Sequence, residues 1–583
     1  MLLILFIFLP TITSLKVIDT SYGKVRGITD YLYDGTEAYI FKKVPFAKPP
    51  LNNLRFALPE PPEKWYGIKD ASKYSPACLS DSHKSSSPQK YISEDCLYLN
   101  IFTSAKCLIE KCSVIIYYHG GAFNTDAATM FPDKFIVERY VRRDVVFVIP
   151  AFRLGVFGLF YLGDTAAVPE NLALHDAVAS LNFVHNEILH FGGDPTQVTI
   201  MGHSSGGNLV NIFGFSELID PHRKLFQKMI ALNAPMTFDL TPTLVAKSYE
   251  IARRLECYDP DALNHTSIQI VNCLRKIDAK ILLATQKDME LDDLNFRRLI
   301  LGAPFMRKNE TIRELKMNTP ARKMLNGVAE QEFFKPKVPK FIGIFLDFDN
   351  PEEVFNEFIR TNLSITTENA EQDAVYVSAA TYSAAMVNAG GEVFLYETRQ
   401  KPSSMHISDM QYFIGIHKTE NRTSDQDILD SIYSEMLVNF TKFDDPLPGW
   451  EPFDPSKNNY LVLAFDVKND VYPKMEKDFH ETEVDFWMIN MTAYDKYLTV
   501  NNHQKTGLSA ISTTKPNYHS TPFHQTWSTV SSTPDAFIME VGNSYSIFSQ
   551  WWFYLIILFV IIVIINFLFL IRKSFGERTP LLE

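Results

Sequence analysis

Apolar residues in this chain of 583 fall into runs of three kinds. Ser113 to Tyr118, Gln197 to Met201 and Val393 to Tyr396 are short, with turn residues nearby, and predict strands of the fully buried type. Gly206 to Phe213 mixes small and apolar residues directly after the second of these and is compatible with a helix. The third kind is long: Trp551 to Ile571 carries no charge, and about 21 residues rising ~1.5 Å each cross a ~30 Å hydrocarbon core. Trp551, Trp552 and Tyr554 at its entrance suit a membrane interface, and Arg572 and Lys573 just beyond it follow the positive-inside tendency. At the other end, the apolar run Leu2 to Pro10 is too short to span a bilayer and reads as a signal peptide over 1–14.

These runs predict an organisation. A globular domain over 15–498 is followed by a stalk over 499–548, a transmembrane helix over 549–571 and a cytosolic tail over 572–583. From Thr499 to Asp535 the composition turns to Ser, Thr, Pro, Asn and His, which cannot bury enough apolar surface to offset chain entropy. A disordered stalk open to O-glycosylation is expected there. The result is a single-pass type I membrane protein with its domain extracellular or lumenal. A lipid-anchor signal would end in the apolar run itself, and here a polar tail follows.

The chemistry centres on Gly202-His203-Ser204-Ser205-Gly206, placed between the second strand and the helix. A serine held on so sharp a turn brings the flanking backbones close enough that side chains at 202 and 206 would clash. This is the context of a nucleophile elbow. Upstream, the strand Ser113 to Tyr118 runs into His119-Gly120-Gly121-Ala122-Phe123. Such a turn can aim the N–H groups of Gly121 and Ala122 at one point, and Ser205 N–H would be a third donor to an oxyanion.

With these motifs go Lys43-Val44-Pro45-Phe46-Ala47, Leu54-Arg55-Phe56, Ser93 to Asn100, Arg153 to Gly158 and the block Asn171 to Gly207. Together they resemble the type B carboxylesterases, the cholinesterase and neuroligin superfamily. The resemblance implies an α/β-hydrolase fold, with a large, mostly parallel central sheet flanked by helices. It also implies a triad in the order Ser, acid, His. Met405-His406-Ile407-Ser408-Asp409 is similar to the family's histidine loop, which makes His406 the base. The family acid is a Glu five residues after a glycine that ends in a strand. Aligned on Gly343, that place falls to Phe348. Either Asp347 or Asp349 then supplies the acid after a one-residue shift, or the acid is missing.

The same resemblance implies ion pairs Arg55–Glu94 and Arg153–Asp176 as architecture, and disulfides Cys78–Cys96 and Cys257–Cys273. Cys107 and Cys112 are left to pair with each other. Six cysteines agree with an oxidising compartment, and sequons stand at Asn264, Asn309, Asn362, Asn421, Asn439 and Asn490. His203 precedes the nucleophile where the family usually has Glu, and Ala122 replaces a glycine of the oxyanion turn.

A composition of 46% apolar and 21% charged residues suits a large core, and a net charge of −12 disfavours nucleic acid and anionic surfaces as partners. No metal cluster or nucleotide-binding loop is apparent, so no cofactor is expected. Two functions remain open. One is a membrane-anchored serine esterase acting on a small-molecule carboxylic ester. The other is a neuroligin-like adhesion or receptor protein with a cell-surface partner and weakened catalysis. Cholinesterase activity is disfavoured, because Tyr91 is the sole large aromatic between Cys78 and Cys96 and no Trp offers a cation seat.

The tail Glu577-Arg578-Thr579-Pro580-Leu581-Leu582 resembles an acidic dileucine signal read by a sorting adaptor, which directs the protein from the plasma membrane to endosomes or lysosomes. Replacing Leu581 and Leu582 by alanine is expected to strand the protein at the cell surface in surface-biotinylation and imaging assays. Unchanged localisation contradicts that role for the tail.

Overall fold

The computed structural model describes residues 15–80, 91–261, 265–333, 342–361 and 370–505. The signal peptide, the transmembrane helix and the tail expected from the sequence lie outside these residues. Among the described residues, no helix is long and apolar enough to cross a membrane.

One mixed sheet runs through the domain. Its middle is seven parallel strands in the spatial order Val145–Pro150, Cys112–Tyr118, Gly193–His203, Lys228–Leu232, Lys323–Ala329, Glu392–Thr398 and Tyr460–Leu463. Antiparallel strands close both sides: Tyr98–Ser104 beside Val145–Pro150, and Lys474–Glu476 beside Tyr460–Leu463. Cys112–Tyr118 and Val145–Pro150 are buried at every position, as continuous apolar runs must be when helices cover both faces. Those helices include Leu172–Glu187, Ser205–Phe215, Ala370–Asn388 and Ser424–Phe443. This architecture fits the α/β-hydrolase fold. The three expected strands are each present and longer than their apolar runs.

The two expected ion pairs hold loops against this frame. Arg153 grips Asp176 with two guanidinium hydrogen bonds of 2.7 Å, and both side chains are buried. Arg55 grips Glu94 through two bonds of 2.6 Å and donates to the carbonyls of Leu274 and Ile277. Buried pairs of this kind lose much of their Coulomb energy to desolvation, so their main effect is to fix geometry. The disulfides are Cys78–Cys96, Cys107–Cys112 and Cys257–Cys273, as expected.

Two sequence expectations need correction. Ile342 to Phe345 is a short helix and not the end of a strand. Phe348 is buried with Val354, Phe358, Phe486 and Trp487 in a separate apolar cluster between helices. A phenylalanine belongs there for packing, so the Gly343 alignment that put it at the acid position was wrong. The second concerns the start of the stalk. The last described helix, Thr492–Lys505, runs seven residues past 498. Asn350 Nδ2 donates to Thr499 Oγ1 and Asn502 Nδ2 donates to Asn350 Oδ1, which ties this extra turn to the domain.

Candidate active site

Every group of the site stands at the carboxyl end of a parallel strand, where an open α/β sheet leaves a crevice. Ser204 directly follows Gly193–His203 with φ 56° and ψ −124°, a conformation costly for a residue with a side chain. The flanking glycines explain how it is tolerated. A Cβ at Gly202 would stand 2.2 Å from Gly206 O, and one at Gly206 would stand 2.0 Å from Tyr118 O. Neither clash can be relieved by a rotamer, because both obstacles are backbone. Ser204 N–H donates to Leu232 O at 2.9 Å, which fixes the turn to the next strand.

His406 comes from the loop after Glu392–Thr398. Its Nε2 lies 2.8 Å from Ser204 Oγ, and its Nδ1 lies 2.6 Å from Glu332 Oε2. With Nδ1–H given to the carboxylate, Nε2 is left to accept from the serine hydroxyl. The carboxylate is fully enclosed. Glu332 Oε1 accepts Ala329 N–H at 2.8 Å, and His406 N–H donates to Glu332 O at 3.0 Å, so acid and base are joined by side chain and backbone alike. Burial pushes the Glu332 carboxyl up and the His406 imidazole down, each through loss of hydration. One proton lies between them in either case.

The acid beside His406 is therefore Glu332, and neither Asp347 nor Asp349. Asp347 lies near Lys316, and burial raises its carboxyl. The Asp349 carboxylate is exposed and accepts from Thr499 Oγ1 at 3.1 Å. The signal for Glu332 was in the chain: Gly327 sits in the strand Lys323–Ala329, and Glu332 follows it by five residues. The polar Asn326 in that strand and the charged Glu330 beside the acid obscured it. Asn326 is satisfied internally, donating to Ala379 O and Ser383 Oγ.

His203, the other departure before the nucleophile, has a role in the loop geometry. Its Nε2–H donates to His406 O at 2.6 Å, and Asn233 Nδ2 donates to the same oxygen at 3.2 Å. Burial, then the neighbouring His406, holds the His203 imidazole well below its usual range, so it stays a neutral donor. The ring of Phe333 lies 4.4 Å from that of His406 and covers part of it.

The glycine-rich turn after Cys112–Tyr118 lies against the elbow, since a Cβ at Gly120 would come 3.2 Å from Ser204 Cβ. Gly121, Ala122 and Phe123 all have positive φ, at 93°, 51° and 52°. Ala122 thus sits in a left-handed conformation that a glycine would adopt without strain. Support comes from below. Gln286 accepts Val156 N–H at 2.6 Å and donates to Asn124 Oδ1 at 2.6 Å, and Asn124 Nδ2 donates to Glu290 at 2.8 Å. Phe123 N–H donates to Ser205 Oγ at 3.3 Å, tying the turn to the helix that follows the nucleophile.

The carboxylesterase family model matches residues 14–372 and 359–487. The chain belongs to the carboxylesterase family. It is a carboxylic ester hydrolase, and its relatives agree. Carboxylesterase 1E of Mus musculus is 29% identical over 545 residues, covering 82% of this chain and 93% of that protein. A fatty acyl-CoA hydrolase precursor, medium chain, of Anas platyrhynchos is 28% identical over 80% of this chain and 91% of its own length. The juvenile hormone esterase of Tribolium castaneum is 36% identical over 269 residues, 46% of this chain and 44% of that esterase.

Other candidate groups sort by exposure. Asn309 and Asn421 are exposed, Asn439 and Asn490 are half-buried, and Asn264 and Asn362 lie outside the described residues. Among the described residues, Cys107, Cys112 and Asp144 have the spacing of a metal site, but the two sulfurs form a disulfide and offer no thiolate.

Glu332→Gln is expected to lower kcat for p-nitrophenyl esters by a factor of about 10⁴, as loss of a triad acid does elsewhere. Asp347→Asn and Asp349→Asn should stay within about twofold of the wild type. Steady-state kinetics on the three variants checks this, and an unimpaired Glu332→Gln enzyme contradicts the assignment.

Proposed function

We propose that the protein is a membrane-anchored serine carboxylesterase that works through an acyl-enzyme on Ser204. The observation that carries this reading is the pair of contacts on His406, 2.8 Å to the serine oxygen and 2.6 Å to Glu332. His406 Nε2 takes the hydroxyl proton as Ser204 Oγ bonds to the ester carbonyl carbon. The carbonyl oxygen becomes an oxyanion facing the N–H groups of Gly121, Ala122 and Ser205. As the C–O bond to the alcohol breaks, His406 returns the proton to the leaving oxygen. Water then repeats the sequence on the acyl-enzyme and releases the acid. Glu332 holds the imidazole in the useful tautomer and balances the imidazolium at each proton transfer.

The anchor belongs to this proposal. The uncharged run Trp551 to Ile571, with Arg572 and Lys573 behind it, supports a single span with the domain in the lumen or outside the cell. Exposed Asn309 and Asn421 are the sequons best placed to carry glycan. The adhesive reading requires decayed catalysis, and the complete Ser204, His406 and Glu332 arrangement argues against decay.

A fluorescent organophosphonate, which phosphonylates activated serines, tests the reading on the full-length protein. Labelling of the wild type and none of Ser204→Ala is the expected result. A wild type that takes no label, where a known esterase does, leaves the adhesive alternative in its place.

A further inference from the structure

Glu332 is held by Ala329 N–H at one oxygen and by His406 at the other, so its position depends on what fixes the short segment 329–332. A second group of buried charges lies on the neighbouring strand, where Glu397 stands in register with Val328. Glu397 is fully buried and accepts from Arg399 Nε at 2.8 Å and from His480 Nε2 at 2.9 Å. Arg399 reaches onward to Glu476 at 3.0 Å and to the Tyr460 hydroxyl at 2.6 Å. On its other side, His480 Nδ1 is 3.9 Å from Glu483.

A continuous line of contacts joins this histidine to the triad acid. The His480 ring lies flat on that of Tyr376, with centroids 3.5 Å apart and planes 8° from parallel. The Tyr376 hydroxyl donates to Glu330 O at 2.6 Å. Glu330 belongs to the short loop in which Ala329 N–H donates to Glu332 Oε1. The far end of the loop is held as well, by Gln331 N–H on Ser404 O at 2.9 Å.

We propose that Tyr376 and His480 are positioning residues for the triad acid. The tyrosine fixes the loop 329–332 through Glu330, and the His480 ring, held by Glu397, fixes the tyrosine by stacking on it. The inference rests on the esterase reading above. Burial is the main force raising the Glu332 carboxyl, and the Ala329 N–H that the loop presents to it is the largest one opposing the rise.

The test compares full-length wild type, Tyr376→Phe, His480→Gln and Ser204→Ala in p-nitrophenyl butyrate hydrolysis from pH 5 to 9. Tyr376→Phe, which removes one oxygen and keeps the ring, should lower kcat about tenfold and leave KM within about twofold. His480→Gln, which keeps a donor to Glu397 and loses the ring stacked on Tyr376, should also lower kcat and leave KM within about twofold. A purely structural role would lower the fraction of chains that take an organophosphonate label and leave kcat per labelled serine unchanged. Wild-type kcat per labelled serine in Tyr376→Phe overturns the inference. Should His480→Gln fail to fold, the kcat and KM of Tyr376→Phe decide it alone. Wild-type activity in Ser204→Ala is a different failure, that of the esterase reading itself.

Discussion

His406 stands between two oxygens, with Ser204 Oγ at 2.8 Å and Glu332 Oε2 at 2.6 Å, and neither distance is left to a free loop. The serine is fixed by a strand end whose flanking glycines admit no side chain. The acid is fixed by hydrogen bonds to the strand that precedes it and to the histidine's own backbone. The histidine loop is fixed by His203 and Asn233, which share its carbonyl. A serine hydroxyl is a poor nucleophile unless its proton has somewhere to go at the moment of attack, and that need sets the tolerance on all three positions. The parallel sheet is what makes such tolerance attainable, since it carries several carboxyl ends to one edge with little conformational freedom.

The elements with strict local requirements were the ones legible in the sequence. The elbow is an example: Gly202 and Gly206 are glycines because backbone lies about where a Cβ would go, so the motif and its geometry are one statement. Buried strands such as Cys112–Tyr118 read directly from their apolar continuity. Glu332 did not read so easily, because a second carboxylate stands two residues earlier at Glu330 and the spacing from Gly327 is the one local mark that separates them. Its partner His406 lies 74 residues on and reaches it only through tertiary structure. Phe348 shows the same limit from the opposite side. It drew attention by occupying a supposed catalytic place, and its real surroundings are Phe358 of the next helix and Trp487, which comes from a segment far away in sequence.

Residues that depart from the family pattern are accommodated by their surroundings. His203 donates to the base loop, and Ala122 holds a positive φ within a turn braced by Gln286 and Asn124. Beyond the triad, the buried Glu397 carboxylate is paired with Arg399 and hydrogen-bonded to His480. A site of this kind is a set of nested supports, each correcting the electrostatic cost of the group in front of it.

The central claim is that Ser204 becomes acylated, and rapid-mixing hydrolysis of p-nitrophenyl acetate followed by acid quench and peptide mass spectrometry tests it most directly. The account predicts a burst approaching one nitrophenol per chain and an acetyl group on the peptide containing Ser204. Turnover with no burst and no adduct, or an adduct on another residue, contradicts it.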